Sequence, residues 1–135
     1  MLNIPQDMPR DKPCCGVACV SMLTDKTFEE TFEDFRSVFG RRSHWRGSTR
    51  HDQRLLVLFR YGIGYREYPV DFFPLYKWIR DHSKENQVYM VTTTGHVQIV
   101  LNGLVYDQRH QEGIHYLEYS KRRKKIRSVV EIKGQ

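Results

Sequence analysis

Three thiols fall within six residues in "DKPCCGVACVSML", Asp11 to Leu23: Cys14, Cys15 and Cys19. Thiols so placed make a disulfide, a metal site, core packing or a nucleophile. Adjacent cysteines rarely bridge each other, and three is an odd number, so free thiols in a reducing compartment are expected. After Pro13 the run is small and apolar, with Cys15, Ala18, Cys19 and Met22 at i, i+3, i+4 and i+7, one face of a buried helix. Cys15 then sits in the first turn, where unbonded N–H groups and the positive end of the helix dipole favour thiolate. Its own N–H is placed to donate to an oxyanion, and Gly16 leaves room for a substrate backbone. Cys19, one turn deeper, reads as packing, and Cys14 lies just before the helix.

A histidine and an aspartate are the natural partners of such a thiol, and "GHVQIVLNGLVYDQ" (Gly95 to Gln108) supplies both. Asn102-Gly103 is the favoured two-residue turn of a tight hairpin. With that turn, Leu101 pairs with Leu104 and Gln98 stands opposite Asp107. His96, two residues before Gln98, shares its face. His96 and Asp107 become diagonal neighbours, roughly 7–8 Å apart at the backbone, a gap two side chains of that size can close. An aspartate that reaches an imidazole fixes its tautomer and stabilises its cation. Val97, Ile99 and Leu101 point the other way, into helices.

The elements that must hold these residues follow from pattern. The chain has 135 residues, 39% of them hydrophobic and 13% aromatic, enough for one folded domain. Residues 1–13 read as an irregular lead-in, 14–82 as mainly helical and 87–133 as mainly antiparallel sheet. Thr27 with Glu30 reads as a capping box opening "TFEETFEDFRSVF", whose stripe is Phe28, Phe32, Phe35 and Val38 and whose stop is Gly40. A third helix, about His51 to Tyr61, is expected to bury Leu55, Leu56 and Leu58 or Phe59. Tyr65 to Val70 reads as a short strand, and Asp71 as the cap of a helix in "FFPLYKWIRDH" with Pro74 in its first turn. Phe72, Phe73, Tyr76 and Trp78 read as core. Strands follow at Gln87–Thr93, His96–Asn102, Leu104–Gln108 and Ile126–Lys133. Helices first and an antiparallel sheet afterwards predict an α+β fold.

"CCGVACVSML" followed by "GHVQIVLNGLVYD" resembles the papain-like cysteine peptidase superfamily, in particular the branch of bacteriocin-leader-processing peptidases and small phage or bacterial proteins of unassigned role. The nucleophile motif of that branch, Cys-Gly-x-Ala opening the first helix, matches Cys15-Gly16-Val17-Ala18. Its histidine matches Gly95-His96, 81 residues beyond Cys15, and its acid matches Val105-Tyr106-Asp107. The resemblance spans about Lys12 to Gln108 and, loosely, the final strand. It implies a papain-like fold and acyl transfer by a Cys15–His96–Asp107 triad without a cofactor or metal, acting on a peptide or protein substrate. The family's oxyanion glutamine, about six residues before the cysteine, falls here on Pro9, which has no donor. Gln6, with the Cys15 backbone, takes that role if the lead-in loops back. The alternative is a papain-fold binding module without turnover, holding a protein or nucleic acid, as a phage protein aimed at a host factor would.

Charge bounds the partners. The net charge is +6, and Arg41, Arg42, Arg46 and Arg50 with Trp45 form a basic loop suited to gripping a partner, a nucleic acid included. The simpler reading is a solvated loop or lid beside the cleft. "KRRKKIR" (Lys121 to Arg127) reads as a turn into a strand whose lysines guard an edge. His110 and His115 have a spacing that suits zinc, but no Cys-x-x-Cys accompanies them, so no metal is expected. No run approaches the ~20 apolar residues of a membrane span, and the polar N-terminus does not read as a secretion signal. A cytoplasmic protein is expected.

Overall fold

Asn102 and Gly103 both have positive φ, 53° and 76°, the backbone that this pair adopts at least cost in a two-residue hairpin. Across them Leu101 pairs with Leu104 and Ile99 with Tyr106, the register the sequence predicts. The computed structural model describes residues 2–39, 45–70 and 72–134. The expected helix stop Gly40 and helix cap Asp71 lie outside them.

Among the described residues there are four helices, α1 (Cys15–Met22), α2 (Phe28–Val38), α3 (His51–Arg60) and α4 (Leu75–His82). The strands are β1 (Gly64–Tyr68), β2 (Tyr89–Thr93), β3 (His96–Leu101), β4 (Leu104–Tyr106), β5 (Ile114–His115) and β6 (Ile126–Gly134). They form one antiparallel sheet in the order β1-β6-β2-β3-β4-β5. The class is α+β, as the element order predicts.

Both faces of the sheet are covered. Met90, Val97, Ile99 and Val130 pack with α1 and with Phe28, Phe35, Val57 and Leu58 of α2 and α3. Val91, Val100, Val105 and Val129 pack on the other face with Leu75, Trp78 and Ile79 of α4 and with Tyr119. The strands at the centre are therefore apolar on both sides, and β3 is buried from Val97 to Leu101. α1 is the innermost helix. Every residue from Gly16 to Met22 is buried, so it is apolar all round rather than on one face. Only Cys15, at its open end, keeps some exposure.

Local chemistry fixes the ends. Thr27 and Glu30 form the capping box of α2, with Glu30 N–H donating to Thr27 Oγ1 at 3.0 Å and Thr27 N–H to Glu30 Oε1 at 2.9 Å. Asp7 accepts from the N–H groups of Phe28 and Glu29 at 2.9 and 3.0 Å. That ties the irregular lead-in to the α2 N-terminus, where negative charge is favoured.

Four expectations need correction. The buried side of α3 is Arg54, Val57 and Leu58, while Leu56 and Phe59 are exposed. The helix turns a charged side chain inward, against the apolar pattern. Pro74 caps α4 instead of lying inside its first turn, and Phe72 precedes the helix, exposed. β6 lies between β1 and β2, so the lysines before it guard no edge. β5, two residues long, was not visible in the pattern.

Candidate functional site

His96 opens β3 after the turn at Gly95 and lies on the face of Gln98, as the hairpin register requires. Its Nε2 bonds Asp107 Oδ2 at 2.9 Å, which leaves Nδ1 for the third partner. Cys15, at the open end of α1, lines the same cleft as His96 and Val97, near enough for the imidazole to act on its thiol. The structure thus brings together Cys15, His96 and Asp107, from the first helix and one hairpin.

The electrostatics are set by burial and contact together. Burial alone pushes the Cys15 thiol up, but hydrogen bonding to His96, its charge and the more distant Arg54 bring it below its ordinary 9.0. Burial pushes His96 down, and its bonds to Asp107 and Cys15 more than reverse that, leaving it above 6.5. Asp107 would be raised by burial, yet bonds from His96, Tyr119 and His110 hold it far below 3.8. The other thiols differ. Burial raises Cys19 well above 9.0, and its Sγ donates to Val97 O at 3.4 Å. Cys14 is also raised by burial, partly offset by a bond from Gln108 Nε2 at 3.6 Å.

Asp107 is held from every side. Tyr119 Oη donates to Oδ2 at 2.8 Å, and His110 Nδ1 and the N–H groups of Arg109 and His110 donate to Oδ1 at 2.8–3.0 Å. Tyr119 is itself fully buried and reaches Gln98 Oε1 at 3.2 Å. With His96, five donors meet one carboxylate, which saturates its lone pairs and keeps it ionised. The sequence offered no sign of His110 and Tyr119 in this role, because the segment that brings them in is loop. His110, read as half of a zinc pair, is bonded to Asp107, while His115 stacks on Tyr116.

A cleft of about 660 Å³ opens over the thiol. Its walls include Lys12 and Pro13 of the lead-in, Ser48 and Thr49 of the loop before α3, and Gln108 and Arg109 after β4. The loop therefore forms a wall of the cleft. Gly16 does not make room for substrate as expected: a Cβ there would lie 2.0 Å from Thr49 Oγ1 and 3.1 Å from Arg54 Cδ. Its missing side chain lets Thr49 and Arg54 close in. Arg54, 3% exposed, donates to Thr49 O and Oγ1 and to Thr92 Oγ1 at 2.9–3.1 Å.

The remaining predicted residues disperse. Gln6 is exposed in a turn of the lead-in and is not among the residues lining the cleft, so the Cys15 N–H and Gln108 are the amide groups at hand. The lead-in passes from Asp7, fixed on α2, directly to the cleft, and this leaves Gln6 outside. Arg41 and Arg42 lie outside the described residues. Trp45 packs its ring on Phe32, 4.8 Å between centroids, and Arg50 pairs with Asp52 at 3.2 Å. Arg46 is exposed beside a second hollow that Phe32 and Trp45 line. A second histidine, His51, lines the cleft, bonded through Nε2 to Glu67 and through Nδ1 to Ser128.

No described helix is long and apolar enough to cross a membrane. Comparison with family models, curated proteins and solved structures finds no match for this chain.

Proposed function

We propose that the protein is a cysteine-dependent hydrolase or acyl transferase acting on amide or peptide bonds, with Cys15 as nucleophile, His96 as acid and base, and Asp107 orienting His96. The observation that carries this reading is His96, bonded at 2.9 Å to the buried Asp107 carboxylate, lining one open cleft with the Cys15 thiol. The papain-like resemblance of Cys15-Gly16-Val17-Ala18 and of the His96–Asp107 hairpin supports it.

The chemistry is acyl transfer. The thiol proton passes to His96 Nδ1, and Sγ attacks the carbonyl carbon, forming an S–C bond. The oxyanion that develops takes the Cys15 N–H, unpaired in the first turn of α1. His96 returns its proton to the leaving amine as the C–N bond breaks. Water or an acceptor amine, deprotonated by His96, then releases the acyl group and regenerates the thiol.

Alkylation with iodoacetamide followed by mass spectrometry tests the reading. Cys15 is expected to react at pH 6 well ahead of Cys14 and Cys19. Equal reactivity of the three thiols would sink it.

A further inference from the structure

We infer that the cleft selects an acidic peptide: the acyl donor carries carboxylates next to the bond that Cys15 attacks. This rests on the reading above and names the substrate class for the same site.

Charge in the cleft is lopsided. Arg10, Lys12, Arg54, Arg109 and Lys121 line it, against one carboxylate, Asp11. Arg10 pairs with Glu112 at 2.9 Å. Among the described residues, Lys12, Arg54, Arg109 and Lys121 have no carboxylate within ion-pair distance. Asp107, the other carboxylate at the site, is saturated by its own donors. Four cations therefore face the cleft with one carboxylate to balance them.

Arg54 is the independent observation. A buried guanidinium is normally paired with a carboxylate, because an uncompensated buried charge is costly. Here it is held by three neutral oxygens, and its Nε is buried with no hydrogen-bond partner. The fold keeps this charge beside Cys15, where the thiols and Asp52 act on it only at a distance, and an anion arriving through the cleft adds the close partner it lacks. Arg54 acts through its field from below, while Lys12 and Arg109, both exposed, and Lys121 meet the ligand at the mouth. The leaving group and thiol chemistry are those already given, with no further reactant.

Two measurements on the full chain test this. The first is calorimetric binding of hexaglutamate, with hexaserine and hexathymidylate as comparators. The second is the ratio of iodoacetate to iodoacetamide rates at Cys15. Hexaglutamate is expected to bind at least tenfold more tightly than hexaserine. Changing Lys12→Gln, Arg109→Gln and Lys121→Gln together is expected to lower both that affinity and the alkylation ratio about tenfold, as does high salt. An unchanged thermal melt shows that the variant folds. Hexaglutamate binding no better than hexaserine, or unaffected by the three substitutions, overturns the inference. So does tighter binding of hexathymidylate, which assigns the charge to nucleic acid. A Cys15 inert to iodoacetamide sinks the enzymatic reading instead, and the peptide binding is still measured.

Discussion

Two histidines line the same cleft, each clamped by a carboxylate and each with a nucleophile-type side chain nearby. His96 joins Asp107 and Cys15. His51 joins Glu67 and Ser128, whose Oγ is 3.3 Å from Nδ1. The residue types are alike, and the surroundings are not. The His96 and Asp107 side chains are 10% and 3% exposed, and those of His51 and Glu67 are 33% and 51% exposed. Water competes for the second pair, which puts it in the class worth about 0–1 kcal/mol. Ser128 is also absent from the cleft wall. Connectivity of carboxylate, imidazole and nucleophile is thus not enough. What separates the two sets is burial, which forces the carboxylate to rely on protein donors, and access, which puts the thiol under the cleft.

The sharpest way to break this comparison is to remove each nucleophile. Cys15→Ala should abolish acyl transfer, a loss of at least about 10³-fold in kcat, while Ser128→Ala changes it less than twofold. A large loss from Ser128→Ala, measured in the same hydrolysis assay, would reverse the assignment. The carboxylates come next. Asp107→Ala strands His96, Tyr119 and His110 and should cost about 3–5 kcal/mol in urea unfolding, against about 0–1 kcal/mol for Glu67→Ala. Equal costs would mean that burial does not distinguish the pairs.

A pH series sharpens the same point. Asp107 has a folded pKa below its unfolded 3.8. Its contribution is therefore fully present above pH 3.8 and is lost as pH falls through the lower folded value. His96 has the opposite sign. Held above 6.5, it stabilises fully below that pH and less as pH rises through its folded value. Acid unfolding of Asp107→Asn should accordingly depend less on pH below 3.8 than that of the parent, and a parallel dependence would remove the ionised carboxylate from the account. The smallest effect is expected from Tyr119→Phe. It deletes one donor of five and should lower stability by about 1–2 kcal/mol, read from the urea midpoint.

The part of this site that was legible in the sequence came through backbone periodicity. A two-residue turn at Asn102-Gly103 fixes register, register fixes faces, and faces bring His96 to Asp107. Cys15 was legible because helix starts have their own chemistry. The rest depends on packing that no local pattern encodes. Arg54 takes an inward position on α3 that propensity would give to Leu56, and only the gap left by Gly16 makes room for it beside Thr49. His110 and Tyr119 reach Asp107 from an irregular segment with no period to read. Gln6 lies outside the cleft because Asp7, its neighbour, is pinned to α2. The position of β6 was equally hidden, since sheet order depends on which edges meet in space.

That position has a consequence for how the chain is made. β6 is paired on one side with β1 and on the other with β2; β2 has β3 as a second neighbour, but β1 has only β6 and waits for it. Residues 69–125 separate β1 from β6, and at ~5–20 residues per second a ribosome takes roughly 3–11 s to add them. Throughout that interval β1 has no strand beside it, and the contacts that close the sheet are among the most distant in the chain, which slows folding. Cys15 is made 81 residues before His96. Over that stretch of synthesis its thiol has no imidazole beside it, and the histidine arrives only with β3.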